Sequence, residues 1–152
     1  MEQYIAYNLA LGIVRTSSKT KQELGRTFAR ILGFHPGPLG KDGGIDGVII
    51  PEDGRLVYFQ SKLSQLELTV DHAKILYADI MYHKAEISVM LSGVGYKKTF
   101  KDRLFGHPYI NPGSIHLLTL VDILAKTDSY DLAVQDIPKL KLIEEINWKQ
   151  FK

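Results

Sequence analysis

Apolar positions recur along this chain with two different periods, and the change from one to the other marks out its elements. Over residues 2–14, Ile5, Leu9 and Ile13 fall at four-residue spacing, which predicts a helix with one apolar stripe. Ser17 and Ser18 suit the cap of a second helix running to Leu32, with Leu24, Phe28, Ile31 and Leu32 as its buried face and Gly33 as its C-terminal stop. The period then shortens. Val48, Ile49 and Ile50 form a β-branched run, Pro51 to Arg55 hold an Asp-Gly turn signal, and residues 56–60 resume an extended pattern, so a β-hairpin is predicted. Thr69 or Asp71 caps a third helix through His83, with Ala73, Leu76, Ala78 and Ile80 available for packing. Ile87 to Leu91 reads as a buried strand, residues 100–105 as a short helix, His107 to Gly113 as a loop, and residues 115–118 as a strand leading into a helix from Leu120. Asp128–Asp136 reads as a linker, and residues 140–151 as an amphipathic helix carrying Leu142, Ile143, Ile146 and the single tryptophan, Trp148. Strands alternating with helices predict an α/β fold, a mixed central sheet flanked by helices.

The hairpin also concentrates chemistry. Side chains alternate across a strand, so Gln60 and Lys62 share one face while Phe59 and Ser61 share the other. Asp46 stands just before the first strand, near the level where the second one ends. The hairpin should therefore bring Asp46 towards Gln60 and Lys62. Gly40, Gly43, Gly44 and Gly47 surround the aspartate and allow a phosphate or another backbone to come close. Mg²⁺ takes oxygen ligands in near-octahedral geometry. Asp46 can supply an anionic oxygen and Gln60 a neutral one, while Lys62 can orient an attacking water or stabilise charge on a pentavalent phosphorane. A cation held there acts as a Lewis acid and lowers the pKa of water. This combination points to metal-dependent cleavage of a phosphodiester. Asp42, the main rival to Asp46, reads as a loop residue; Glu52 and Asp53 read as solvated turn residues.

Glu23 in a helix, Gly43-Gly44-Ile45-Asp46, then Gln60-Ser61-Lys62 resembles the PD-(D/E)XK nuclease superfamily, and within it the Mrr-type restriction endonucleases, where Gln replaces the third acid. The resemblance runs roughly from Lys19 to Lys126, and Ile45 stands where the family's name has proline. It implies a restriction-endonuclease-like core over residues 1–126, followed by a linker and C-terminal helix over 127–152. It also implies catalytic roles for Glu23, Asp46, Gln60 and Lys62, with Asp46, Gln60 and Glu23 as metal ligands. The implied activity is Mg²⁺-dependent endonucleolytic hydrolysis of double-stranded DNA in restriction or defence, with Mn²⁺ as a substitute cation. A Holliday-junction-type resolvase, or a DNA-binding or assembly domain that has lost cleavage, are the rival readings. Without the resemblance, Glu23 can equally be a helix-surface residue paired with Arg26 or Lys19.

Composition is compatible with these expectations. The chain has 152 residues, 45% hydrophobic and 24% charged, enough for one domain with its own core. It has no cysteine, which excludes disulfides and thiolate-bound zinc and agrees with a cytoplasmic setting. No apolar run reaches the roughly 18 residues of a membrane span, and no signal peptide is expected. Net charge is only +2, but basic residues cluster. Lys97, Lys98, Lys101 and Arg103 follow the Gly93-Val94-Gly95-Tyr96 turn and form a candidate DNA-binding patch, as Lys19, Lys21, Arg26 and Arg30 do on the early helix. The five histidines lack zinc-ligand spacing. Double-strand cleavage predicts a homodimer, with Leu142, Ile146 and Trp148 as a candidate contact, and the C-terminal helix can equally pack on the core of its own subunit or lead to a further module.

Overall fold

A computed structural model describes residues 1–36, 47–49, 54–138 and 140. Two helices open the chain, α1 (Gln3–Val14) and α2 (Ser18–Leu32). A short strand β1 (His35–Pro36) precedes β2 (Gly47–Ile49) and β3 (Val57–Lys62), and α3 (Val70–His83) crosses over to β4 (Ile87–Ser92). The chain continues through α4 (Lys98–Phe105), β5 (Ile115–Thr119), α5 (Leu120–Ala125) and α6 (Asp128–Asp136). The strands form one five-stranded sheet in the order β1-β2-β3-β4-β5. The first three are antiparallel neighbours, and β3, β4 and β5 are parallel. The protein is thus mixed α/β, with helices on both faces of the sheet. No described helix is long and apolar enough to cross a membrane.

Local chemistry sets the helix ends. The Ser17 hydroxyl accepts the Thr20 amide and starts α2, and Gly33 ends it in the left-handed region at φ 103°, where a Cβ would be strained. Thr69 starts α3, and the Thr119 hydroxyl and Asp122 carboxylate exchange bonds with each other's amides at the start of α5.

Each face of the sheet has its own core. Phe28, Leu32, Phe59, Leu91, Leu120 and Tyr130 belong to the one beneath α1, α2, α5 and α6. Leu68, Leu76, Met90, Phe100 and Leu104 belong to the one beneath α3 and α4. The hydroxyl of Tyr96 reaches across strand ends, 2.8 Å from the Met90 carbonyl oxygen and 2.7 Å from that of Leu118.

Three expectations are corrected. The buried face of α1 is Ala6, Ala10, Ile13 and Val14, whereas Ile5 is 44% exposed. Small alanines let α1 approach α5 closely, and that packing overrides the stripe of larger side chains. Ala78 of α3 is exposed. Asp128–Asp136 is a helix, not a linker: Tyr130 and Ala133 are buried, and Ile137 and Leu140 extend the same core. Its end is tied to the sheet through Asp136, which accepts from Arg55 at 3.5 Å and meets His116 Nε2 at 2.7 Å. The helix expected around Leu142, Ile146 and Trp148 lies outside the described residues.

The turn after β4 packs without spare room. The Gly93 amide donates to the Lys62 carbonyl oxygen at 3.2 Å. A Cβ on Gly93 would lie 2.5 Å from both the Ser64 carbonyl oxygen and Val14 Cγ1, and 3.2 Å from the Leu63 carbonyl carbon. A methyl clash with Val14 can be relieved by rotation; a clash with the backbone at Ser64 cannot. Gly93→Ala is therefore expected to cost about 2–3 kcal/mol of stability, read as a fall of roughly 5–10 °C in Tm. An unchanged melting temperature would contradict this packing.

Candidate functional site

Strand β3 divides its side chains between the two cores. Val57 and Phe59 are fully buried on the α2 side, where the Phe59 ring lies 4.9 Å from that of Phe34. Tyr58 and Gln60 face α3, with the Tyr58 ring 5.0 Å from that of His83. Gln60 and Lys62 share this face by alternation, as the sequence predicts. Gln60 is buried and Lys62, at the strand's end opposite Ser92, is exposed.

The Gln60 amide is held in one orientation. Its Nε2 donates to Asp79 Oδ2 of α3 at 3.0 Å. An ionised carboxylate only accepts, so the amide must present its N–H end to Asp79. The carbonyl oxygen Oε1 is the end of the amide turned from that bond. Burial raises the Asp79 pKa above its ordinary 3.8, while the Gln60 bond and the charge of His83 pull it back down. A raised carboxylate pKa contributes stability that is full below about pH 4 and is lost as pH rises through the folded-state value. Asp79→Asn removes that loss and keeps an acceptor for Gln60. The variant is expected to gain stability relative to the parent between pH 4 and pH 7, measured by denaturant unfolding at both. A difference that does not change with pH would contradict the burial argument.

At the end of β3, Lys62 lies between two helix starts. It lines a cleft with Ser18, Lys21 and Gln22 of α2 and with Ser61, Leu63 and Ser64. On the other side it faces α3, where burial first and the Lys62 charge second lower the pKa of His72. His72 Nδ1 accepts the Thr69 amide at 3.0 Å, a bond that requires that nitrogen to be unprotonated. His72 is thus a helix-capping residue.

The sequence-derived residues are only partly brought together. Gln60 and Lys62 are neighbours on one strand face. Asp46 lies outside the described residues; Gly47, its neighbour in sequence, pairs with Phe59. Glu23 is exposed on α2, whose core is the one opposite Gln60, and it does not line the Lys62 cleft. The α2 residues that do are Ser18, Lys21 and Gln22, the last of them one position before Glu23. Lys97, Lys98, Lys101 and Arg103 are all exposed at α4, which Phe100 and Leu104 anchor, and Lys98 lies 3.9 Å from Asp102. Sequence reasoning missed Asp79. The available signal was a carboxylate three residues after Leu76 and four before His83, spacings that share a helical face.

Among the described residues, no three histidine, cysteine, aspartate or glutamate side chains converge as a metal site. The Gln60 amide and the Asp79 carboxylate bonded to it carry hard oxygen atoms of the kind Mg²⁺ takes. No family model matches the chain, and no curated protein matches it.

Proposed function

We propose that this chain has a restriction-endonuclease-like core and hydrolyses phosphodiester bonds of double-stranded DNA with Mg²⁺, in a restriction or defence setting. The observation that carries the reading is the hairpin register. Gly47 pairs with Phe59, Asp46 is one peptide bond before Gly47, and Gln60 and Lys62 follow Phe59 on the adjacent strand. In this proposal a carboxylate, an amide oxygen and an ammonium from two neighbouring segments act as one site.

In this reading Asp46 and the Gln60 Oε1 hold the cation, which when bound supplies Lewis acidity towards water and phosphate. Asp79 is a positioning residue, keeping the Gln60 amide turned so that its oxygen is available. Lys62 Nζ, a compact charge with three donors, orients the attacking water and donates to a non-bridging phosphate oxygen as negative charge grows there. The exposed Lys97, Lys98, Lys101 and Arg103 neutralise phosphates of the duplex. Two copies about a two-fold axis would set one site on each antiparallel strand. The test is cleavage of plain and branched duplexes of equal length with Mg²⁺ or Mn²⁺. Cutting of the plain duplex is expected; cutting of the branched one alone would favour a resolvase, and binding of both without cutting would leave a DNA-binding domain.

A further inference from the structure

The cleft beside Lys62 has a composition that the proposed reaction does not explain. It encloses about 190 Å³ between the first turn of α2 and the end of β3. Its walls carry two ammonium groups from different elements, Lys21 and Lys62, with three serines, Ser18, Ser61 and Ser64, and the amide of Gln22. No carboxylate lies among the described residues that line it, and the first turn of α2 contains none. Two like charges drawn to one small cleft repel each other unless an anion lies between them.

The cleft's floor is firmly held. Lys21 Nζ donates to the Val14 carbonyl oxygen at 3.3 Å, which ties α2 to the end of α1 and holds the ammonium over the cleft. The Ser64 hydroxyl accepts the Leu66 amide at 3.1 Å, and Gly93 packs against the Leu63–Ser64 backbone from below. Hydroxyl and ammonium donors converging on a held concavity suit a tetrahedral oxyanion with several acceptor oxygens.

We infer that the cleft is a phosphate-binding subsite, engaging a phosphate group of a nucleic-acid strand next to the one attacked at Lys62. The anion preference stands on the lining residues alone; the nucleic-acid carrier rests on the nuclease reading. The group is either a terminal monophosphate or an internal diester; the first presents three non-bridging oxygens and the second two, and either set can accept from the same donors.

The experiment needs no metal. Inorganic phosphate is titrated into the protein and followed by amide chemical shifts, and binding is measured for single strands of one sequence bearing a 5′-phosphate or a 5′-hydroxyl. Phosphate should move the amides of Ser18 to Gln22 and Ser61 to Ser64. Lys21→Gln keeps an N–H for Val14 and removes the charge, and it should weaken strand affinity on the order of tenfold, the effect of one charge-assisted hydrogen bond. Lys19→Gln, exposed on the same turn and outside the cleft, should not match it. A loss confined to the 5′-phosphorylated strand identifies the terminal group, and an equal loss for both identifies the internal diester. Either supports the subsite. Equal effects of Lys21→Gln and Lys19→Gln, or phosphate shifts that avoid the cleft, would overturn it. Phosphate binding in a protein that cuts no DNA would defeat the nuclease reading and leave the cleft assigned.

Discussion

Asp46→Ala is expected to abolish DNA cleavage while duplex affinity is largely retained. In the proposed site Asp46 is the one strong anionic ligand, and Gln60 can contribute only a neutral oxygen. Removing the carboxylate removes the charge that holds a hard divalent cation. Lewis-acid assistance is worth several kcal/mol, so the rate should fall by at least about 10³-fold. Affinity for DNA comes chiefly from lysine and arginine on phosphates, and Lys97, Lys98, Lys101 and Arg103 are untouched by the change. A variant that folds, binds and cuts at the parental rate would remove Asp46 from the site.

Lys62→Ala is expected to lower the cleavage rate by roughly 10²–10⁴-fold, the range for removing a positioned proton-transfer or charge-stabilising group. Cation affinity should change little, because an ammonium is not a ligand. The fold should survive, since Lys62 is exposed at the strand's end and its backbone carbonyl still accepts the Gly93 amide. Measured together, cleavage rate and Mg²⁺ affinity separate a role in chemistry from one in metal binding. Loss of both in equal measure would place Lys62 in the metal site instead.

Much of the fold was legible because its boundaries are local. Ser17, Gly33 and Thr69 mark helix ends with their own side chains or lack of one, and the Val57–Lys62 strand turns Val57 and Phe59 to one side and Tyr58 and Gln60 to the other, as its residues suggest. What failed depended on distant partners. Helix α1 is apolar on more than one face, so only its docking on α5 selects Ala6 and Ala10 over Ile5. Strand β1 is two residues long, too short to show a period. Helix α6 reads as polar until Tyr130 and Ala133 find the core and Asp136 meets Arg55 and His116, both far away in sequence. The candidate site divides in the same way. Gln60 and Lys62 share a face through strand alternation alone. Asp79 reaches Gln60 only because α3 packs back across the sheet, and Gln22 enters the Lys62 cleft while Glu23 does not because of how α2 is rotated on its core.

The most direct measurement is the conversion of supercoiled plasmid by the purified parent protein, followed over time with Mg²⁺ or Mn²⁺ and with the cation chelated. Metal-dependent hydrolysis at Asp46, Gln60 and Lys62 predicts nicked and then linear DNA only when the cation is present, with the reaction restored when the chelator is outcompeted. Plasmid that is bound but stays supercoiled under all conditions, or that is cut equally well in chelator, would contradict it.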